Sequence, residues 1–229
     1  MAQAAPDWTS LSPEQRVADV KLRRREAVST SLKAAGLTLG SSVFLRIMKE
    51  DNEMEVWLKT NTQGYQRWQT YPIAKWSGAL GPKLAEGDGQ APEGIYDITR
   101  ARLHPGSKYH LAFNIGYPNA FDRAHDRTGS LIMIHGSHVS IGCFAMTDPV
   151  IEDLYLVVDA ASARGQTSVP VHSFPFRMTE ARLAAAKAEA SPWLSFWEDL
   201  HAIWQAFEKT HIPPTVIVRD QRYHLAPPP

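Results

Sequence analysis

Ile134-His135-Gly136-Ser137-His138-Val139-Ser140-Ile141-Gly142-Cys143-Phe144-Ala145-Met146-Thr147-Asp148 holds the only cysteine of the chain, beside two histidines and two glycines. A cysteine acts as a nucleophile at neutral pH when a neighbouring imidazole or backbone dipoles favour its thiolate. A glycine just before it lets backbone N–H groups face a developing oxyanion. His135 lies eight positions ahead of Cys143, far enough for the chain to reverse and return the ring to the sulfur. A lone cysteine is more often a buried structural residue. Here the flanks favour a thiol nucleophile, with Cys143 attacking, His135 as base, and Gly136 and Gly142 shaping the turn.

Those flanks resemble the YkuD-type L,D-transpeptidase family, in which a His-Gly pair is followed by Ser-His-Gly-Cys and then Arg or Asn. His135-Gly136 fits the first half and Ser140-x-Gly142-Cys143 the second. Ile141 stands where the second family histidine would be, Ala145 where Arg or Asn would be, and the interval between the halves is short. The compact block ending Cys143-Phe144-Ala145-Met146-Thr147-Asp148 is similar to the YafK branch of the family. So are Tyr109-His110-Leu111-Ala112-Phe113-Asn114-Ile115-Gly116-Tyr117-Pro118-Asn119-Ala120 and Phe174-Pro175-Phe176-Arg177-Met178-Thr179. The likeness runs over roughly residues 40 to 225.

The resemblance implies a β-rich α+β fold: a β-sandwich catalytic domain over 39–225, including C-terminal helices, behind a helical arm at 1–38. Its expected partner is a peptidoglycan stem peptide, attacked at meso-diaminopimelate through a Cys143 thioester. The YafK branch implies resolution by water and release of a wall-linked lipoprotein; an amine acceptor would instead give crosslinks. The same resemblance has His135 take the thiol proton, its tautomer fixed by the Gly136 carbonyl or a nearby backbone oxygen, with Gly142 and Cys143 supplying oxyanion donors. It calls for no cofactor. It implies a periplasmic or cell-envelope location and hence a signal peptide ahead of this sequence. Two further readings stay open: a wall-binding protein without turnover, motivated by Ile141 and Ala145, and acyl or glycosyl transfer on another envelope polymer.

Bulk properties set the frame. With 229 residues and 44% apolar content the chain supports one large core. Lys and Arg total 24, as do Asp and Glu, so no net field points to nucleic acid or an anionic membrane. One cysteine cannot form an internal disulfide. No stretch approaches the ~18–20 apolar residues of a membrane span.

Ser12-Pro13-Glu14-Gln15 is a capping-box start, predicting a helix to about Ala35 with Val17, Val20, Val28 and Leu32 as its apolar stripe. Lys21 and Arg23 to Arg25 read as its solvated face. Period-two alternation predicts a hairpin over Val43–Met48 and Met54–Lys59, a strand in Arg67–Trp76, and strands at Ile95–Thr99, Leu111–Ile115 and Leu131–Ile134. Gly78 to Gly94 reads as a long surface loop bordering the site. Asp148-Pro149 starts a helix to about Ala163, with Glu152 and Asp153 complementing its positive end. Val169–Phe174 is expected as a strand that Pro170 keeps from the sheet centre. Two helices follow, split near Ser191-Pro192; Trp193, Phe196, Trp197, Leu200, Trp204 and Phe207 read as packing. Thr215–Val218 suggests a late strand, and 226–229 a disordered tail.

Other candidates are weighed against these. His138 beside His135 invites a metal, with His125 or Asp126, but no His-Glu-x-x-His pattern or second cysteine supports one. Ser140 lacks a nucleophile elbow and fits a turn-shaping or substrate-orienting role. Tyr117, Asn119 and Asp122 read equally as acyl-donor contacts or as an Asx-turn around Pro118. Arg177 is the chosen carboxylate-binding cation, with Arg123 and Arg127 competing.

Overall fold

The computed structural model describes residues 7–62 and 64–227. In chain order its elements are α1 (Pro13–Ala34), β1 (Val43–Met48), β2 (Glu53–Lys59), β3 (Tyr65–Pro72), β4 (Gly94–Thr99), β5 (Leu103–His104), β6 (Ala112–Asn114), α2 (Ala120–Ala124), β7 (Met133–His135), β8 (Phe144–Ala145), α3 (Asp148–Ala163), β9 (Ser168–Phe174), α4 (Glu180–Ala188), α5 (Leu194–Thr210), β10 (Val216–Arg219) and β11 (Arg222–Leu225). A five-stranded sheet runs β3-β2-β1-β9-β4, a four-stranded sheet β5-β6-β7-β8, and β10-β11 form a ribbon.

β1 is buried along its whole length, and its alternation explains why. Val43, Leu45 and Ile47 enter a core shared with Phe113, Ile134 and Phe144 of the smaller sheet. On the opposite face Phe44 packs with Trp57 and Phe207, Met48 joins the aromatic cluster around Phe174, Trp197 and Trp204, and the Arg46 guanidinium lies 3.8 Å from the Trp204 ring centroid. The C-terminal aromatics therefore cover the sheet's second face.

α1 begins with its Ser12–Gln15 capping box and is laid along the domain, with Val20, Val28 and Leu32 in the main core. Much of its basic face is engaged rather than free in solvent, although Arg25 is exposed. Arg23 reaches Glu152 at 2.7 Å, Arg24 reaches Asp153 at 2.8 Å, and Lys21 reaches Asp159 at 2.7 Å. Glu152 and Asp153 thus hold α1 to α3, whereas the sequence suggests only that they complement the end of α3.

β9 sits between β1 and β4, more central than Pro170 suggests. Pro170 opposes Asp97 of β4, while pairing with β1 starts one residue later, at Val171, so the missing N–H costs no bond on the β1 side. β11 is an unexpected strand that turns back on β10. Of the expected tail, Ala226 donates its N–H to the Thr215 carbonyl at 2.9 Å, and Pro228 and Pro229 lie outside the described residues.

Candidate active site

Cys143 reaches its position through strand register. β7 and β8 are parallel, with Ile134 opposite Phe144 and His135 opposite Ala145. Extending that register by one step sets Met133 beside Cys143, and the Met133 N–H points at the Cys143 Sγ from 3.4 Å. His135 and Cys143 therefore stand two register steps apart with the same parity. Both line one cleft of about 880 Å³, whose walls come from 83–87, 101–109 and 129–133.

The His135 tautomer follows from its partner. Nδ1 lies 2.5 Å from the Gly136 carbonyl oxygen, which only accepts, so Nδ1 carries the proton and Nε2 keeps its lone pair. The ring stacks on Tyr109, with centroids 4.6 Å apart and planes 24° from parallel. Gly136 is needed for close approach, since a Cβ there would sit 2.5 Å from Asp148 Oδ1 and 2.7 Å from the Tyr109 carbonyl. Beyond it, Ser137 adopts φ 63 and donates its N–H to Asp148 Oδ1 at 2.7 Å.

The turn before the cysteine is held by Ser140. Its Oγ donates to the Cys143 carbonyl at 2.7 Å and accepts the Gly142 N–H at 3.2 Å. Gly142, at φ +129, supplies a conformation that other residues rarely adopt. Its N–H is engaged within the turn, whereas the Cys143 N–H has no acceptor among the described residues.

Electrostatics leave both groups neutral at rest. Burial pushes the Cys143 thiol above the ordinary range, opposed by the Met133 N–H and the charge of Lys83. Burial pushes the His135 imidazole down, opposed by its Gly136 bond and Asp148. The sequence expectation of a thiolate favoured by its surroundings gives way to a neutral thiol that points at the Leu131 carbonyl 3.7 Å away, in a cleft it shares with a neutral imidazole.

Four residues expected at the substrate are occupied elsewhere. Asn119 caps α2 in a capping box with Asp122 and donates Nδ2 to the Ile95 carbonyl and Tyr223 Oη, each at 2.7 Å. Asp122 is fully buried, bound to Arg127 at 2.8 Å and Tyr96 at 3.1 Å. The Tyr117 hydroxyl donates toward the Lys83 and Thr128 carbonyls. Arg177 faces Glu55 at 2.8 Å and also Glu53, away from the cleft, because the acidic ends of β2 claim its guanidinium. Its competitors are also engaged, Arg127 with Asp122 and Arg123 with the Pro118 carbonyl.

His138 is exposed, and His125 bonds the Gln221 carbonyl at 2.8 Å; among the described residues no three His, Cys, Asp or Glu side chains form a metal cluster. Sequence reading missed Arg102, Lys108 and Tyr109 as cleft residues. Tyr109 opens one of the family-like blocks, but no local pattern marks it as the ring beneath His135.

A mixed α+β domain with a cysteine and a histidine at one cleft defines the class, and comparison with known families agrees. The YkuD family model, the L,D-transpeptidase catalytic domain, matches residues 50–172, and this chain belongs to that family. It is 45% identical over 190 residues to YafK of Escherichia coli K12, covering 83% of this chain and 76% of that protein, with the same figures for YafK of Escherichia coli O157:H7. Among solved structures it is similar to the helical cell shape determining protein Pgp2 from Campylobacter jejuni: TM-score 0.46, 20% identity, 84% of this chain and 80% of that chain covered. Bd1075 of Bdellovibrio bacteriovorus gives TM-score 0.41 at 18% identity, over 79% and 78% of the two chains. No helix among the described residues is long and apolar enough to cross a membrane.

Proposed function

We propose that this chain acts in the cell envelope on peptidoglycan stem peptides, cleaving acyl bonds at meso-diaminopimelate through Cys143, with water as the main acceptor. The observation that carries the reading is the shared cleft of Cys143 and His135, with Nδ1 of His135 committed to the Gly136 carbonyl. His135 Nε2 takes the thiol proton as Sγ attacks the carbonyl carbon at the L-centre of diaminopimelate. The free Cys143 N–H is the available donor for the oxyanion, and the Gly142 N–H would join it only by leaving Ser140. Collapse expels the amine, which takes the proton from the imidazolium, and leaves a thioester. Water, deprotonated by the same nitrogen, then releases the carboxylate and restores the thiol.

Hydrolysis is favoured by a cleft whose lip is exposed, with Ile141 88% and Leu131 69% accessible, so that solvent has a path to the thioester. A wall-linked lipoprotein fits as the leaving partner. The test uses wall sacculi carrying a covalently attached lipoprotein. The protein should release the lipoprotein and leave an intact tripeptide stem, Cys143→Ala should do neither, and intact mass should show a transient adduct with muropeptides. Accumulation of diaminopimelate-to-diaminopimelate crosslinks without release would make the chain a transpeptidase instead.

A further inference from the structure

Position 145, where the family resemblance expects Arg or Asn, is closed to a large side chain. Ala145 is fully buried, paired with His135 on one side and bridged to Lys75 on the other. A cation for an anionic substrate must therefore come from another wall. The cleft lining contains Lys83, Arg102, His104 and Lys108, against a single carboxylate, Glu86. Two carboxylates outside that lining, Asp88 and Asp97, pair with Lys83 and Arg102.

The four basic groups are not equivalent. Lys83 is spent on Asp88 and the Ala85 carbonyl. Arg102 is built in. Its Nη1 donates to the Asp97 carbonyl at 2.8 Å and to Asp97 Oδ1 at 2.7 Å. Gly116, at φ +81, leaves room for it: a Cβ there would lie 2.3 Å from Nη1 and 2.9 Å from Nη2. With Nη1 anchored, Nε and Nη2 have no acceptor among the described residues. Lys108 is exposed, has no carboxylate partner among the described residues, and carries its ammonium 5.0 Å from the Tyr109 ring centroid, the ring that stacks on His135.

Building on the function proposed above, we propose that Arg102 and Lys108 form a carboxylate subsite, which binds an acidic group of the acyl-donor peptide and sets its carbonyl against Cys143. A guanidinium with one nitrogen tethered and two donors free suits a carboxylate, and holding it still in advance limits the entropy lost on binding. Lys108 adds a mobile second charge at the His135 end of the cleft.

Calorimetric titration of the Cys143→Ala protein tests this without turnover, using a diaminopimelate-containing stem tetrapeptide and the same peptide with its carboxyl groups amidated. The acid form should bind at least tenfold more tightly. That preference should collapse in Arg102→Gln/Lys108→Gln, be reduced in Lys108→Gln alone, where an exposed side chain poses no risk to folding, and be partly kept in Arg102→Lys. The subsite is refuted if amidation leaves affinity unchanged, or if the double variant keeps the parent's preference. Release of lipoprotein by a protein that shows no such preference would sink the subsite alone. Failure of both peptides to bind would overturn the subsite and the stem-peptide reading together.

Discussion

Trp8 and Asp148 are joined across most of the chain: the indole Nε1 donates to Asp148 Oδ2 at 3.0 Å, while Asp148 Oδ1 accepts the Ser137 N–H at 2.7 Å. One carboxylate thus ties the segment before α1 to the turn that follows His135. The arrangement is braced by Arg16, whose Nη1 donates to the Ser107 and His110 carbonyls on either side of Tyr109. On the proposed function these are positioning contacts, acting on Cys143 and His135 through the backbone and through the ring under the imidazole.

Asp148→Asn should therefore lower kcat by about tenfold with KM little changed, equivalent to losing one charge-assisted hydrogen bond of ~1.4 kcal/mol. Trp8→Phe, which keeps the ring against His110 but removes its N–H, should have a smaller effect of the same kind. Steady-state kinetics checks both, and a rise in KM alone would contradict a positioning role.

His135→Ala should reduce turnover by at least ~10³-fold while the protein stays folded, since both proton transfers pass through one nitrogen. His138→Ala, altering an exposed ring that does not line the cleft, should change it less than about threefold. Equal losses in the two variants would dismiss His135 as the base.

Because burial raises the Cys143 thiol, its alkylation by iodoacetamide without substrate should keep rising with pH beyond the range where a free cysteine levels off. Because burial lowers the His135 imidazole, kcat/KM should hold into mild acid, below the ordinary imidazole range, before the base is protonated. An alkylation rate that is already flat by pH 7 would show a preformed thiolate.

His172 gives a separate acid sensitivity. It is buried against Phe44 and Phe174, and burial, with the nearby charge of Arg46, pushes its pKa from 6.5 to about 3. The unfolded chain binds the extra proton first, so the contribution of neutral His172 is present above about 6.5 and is lost as pH falls toward 3, with a slope of at most ~1.4 kcal/mol per pH unit. Urea unfolding at pH 7 and pH 4 should differ less for His172→Phe than for the parent; an unchanged difference would remove His172 as the cause.

What the sequence discloses and what it hides follow a physical division. Alternation along Val43–Met48, the Ser12 capping box and the aromatic spacing of 193–207 are local signals, and each marks its element. That Cys143 and His135 come to one cleft is legible because both sit in one short segment. Arg102 and Lys108 are not legible, since they reach the cleft through the fold from a stretch with no motif of its own. Arg177 misleads for the matching reason: an arginine's role depends on which carboxylates surround it, and Glu53 and Glu55 lie more than a hundred residues away in sequence. Asn119 and Asp122 carry a local signal that admits two readings, and the cap of α2 absorbs both side chains.

Lys49 is fully buried, its ammonium donating to the carbonyls of Ala79, Gly81 and Ala91 and pairing with Glu93 at 2.9 Å. Lys49→Met should destabilise the protein by ~3 kcal/mol or more in urea unfolding, because it strands a buried carboxylate. Adding Glu93→Gln should recover part of that loss. A single variant within ~0.5 kcal/mol of the parent would show that the pair is not needed.

The same lysine clasps both feet of the loop over 78–94, at 79–81 and 91–93, while the tip at 84–88 stands exposed and contributes Glu86 and Gly87 to the cleft wall. Anchorage and recognition are thereby assigned to different residues. None of residues 84–88 takes part in the clasp, so a change at the tip leaves it standing, which makes this loop a natural place for selection, or an engineer, to reshape the cleft wall facing Cys143 and His135.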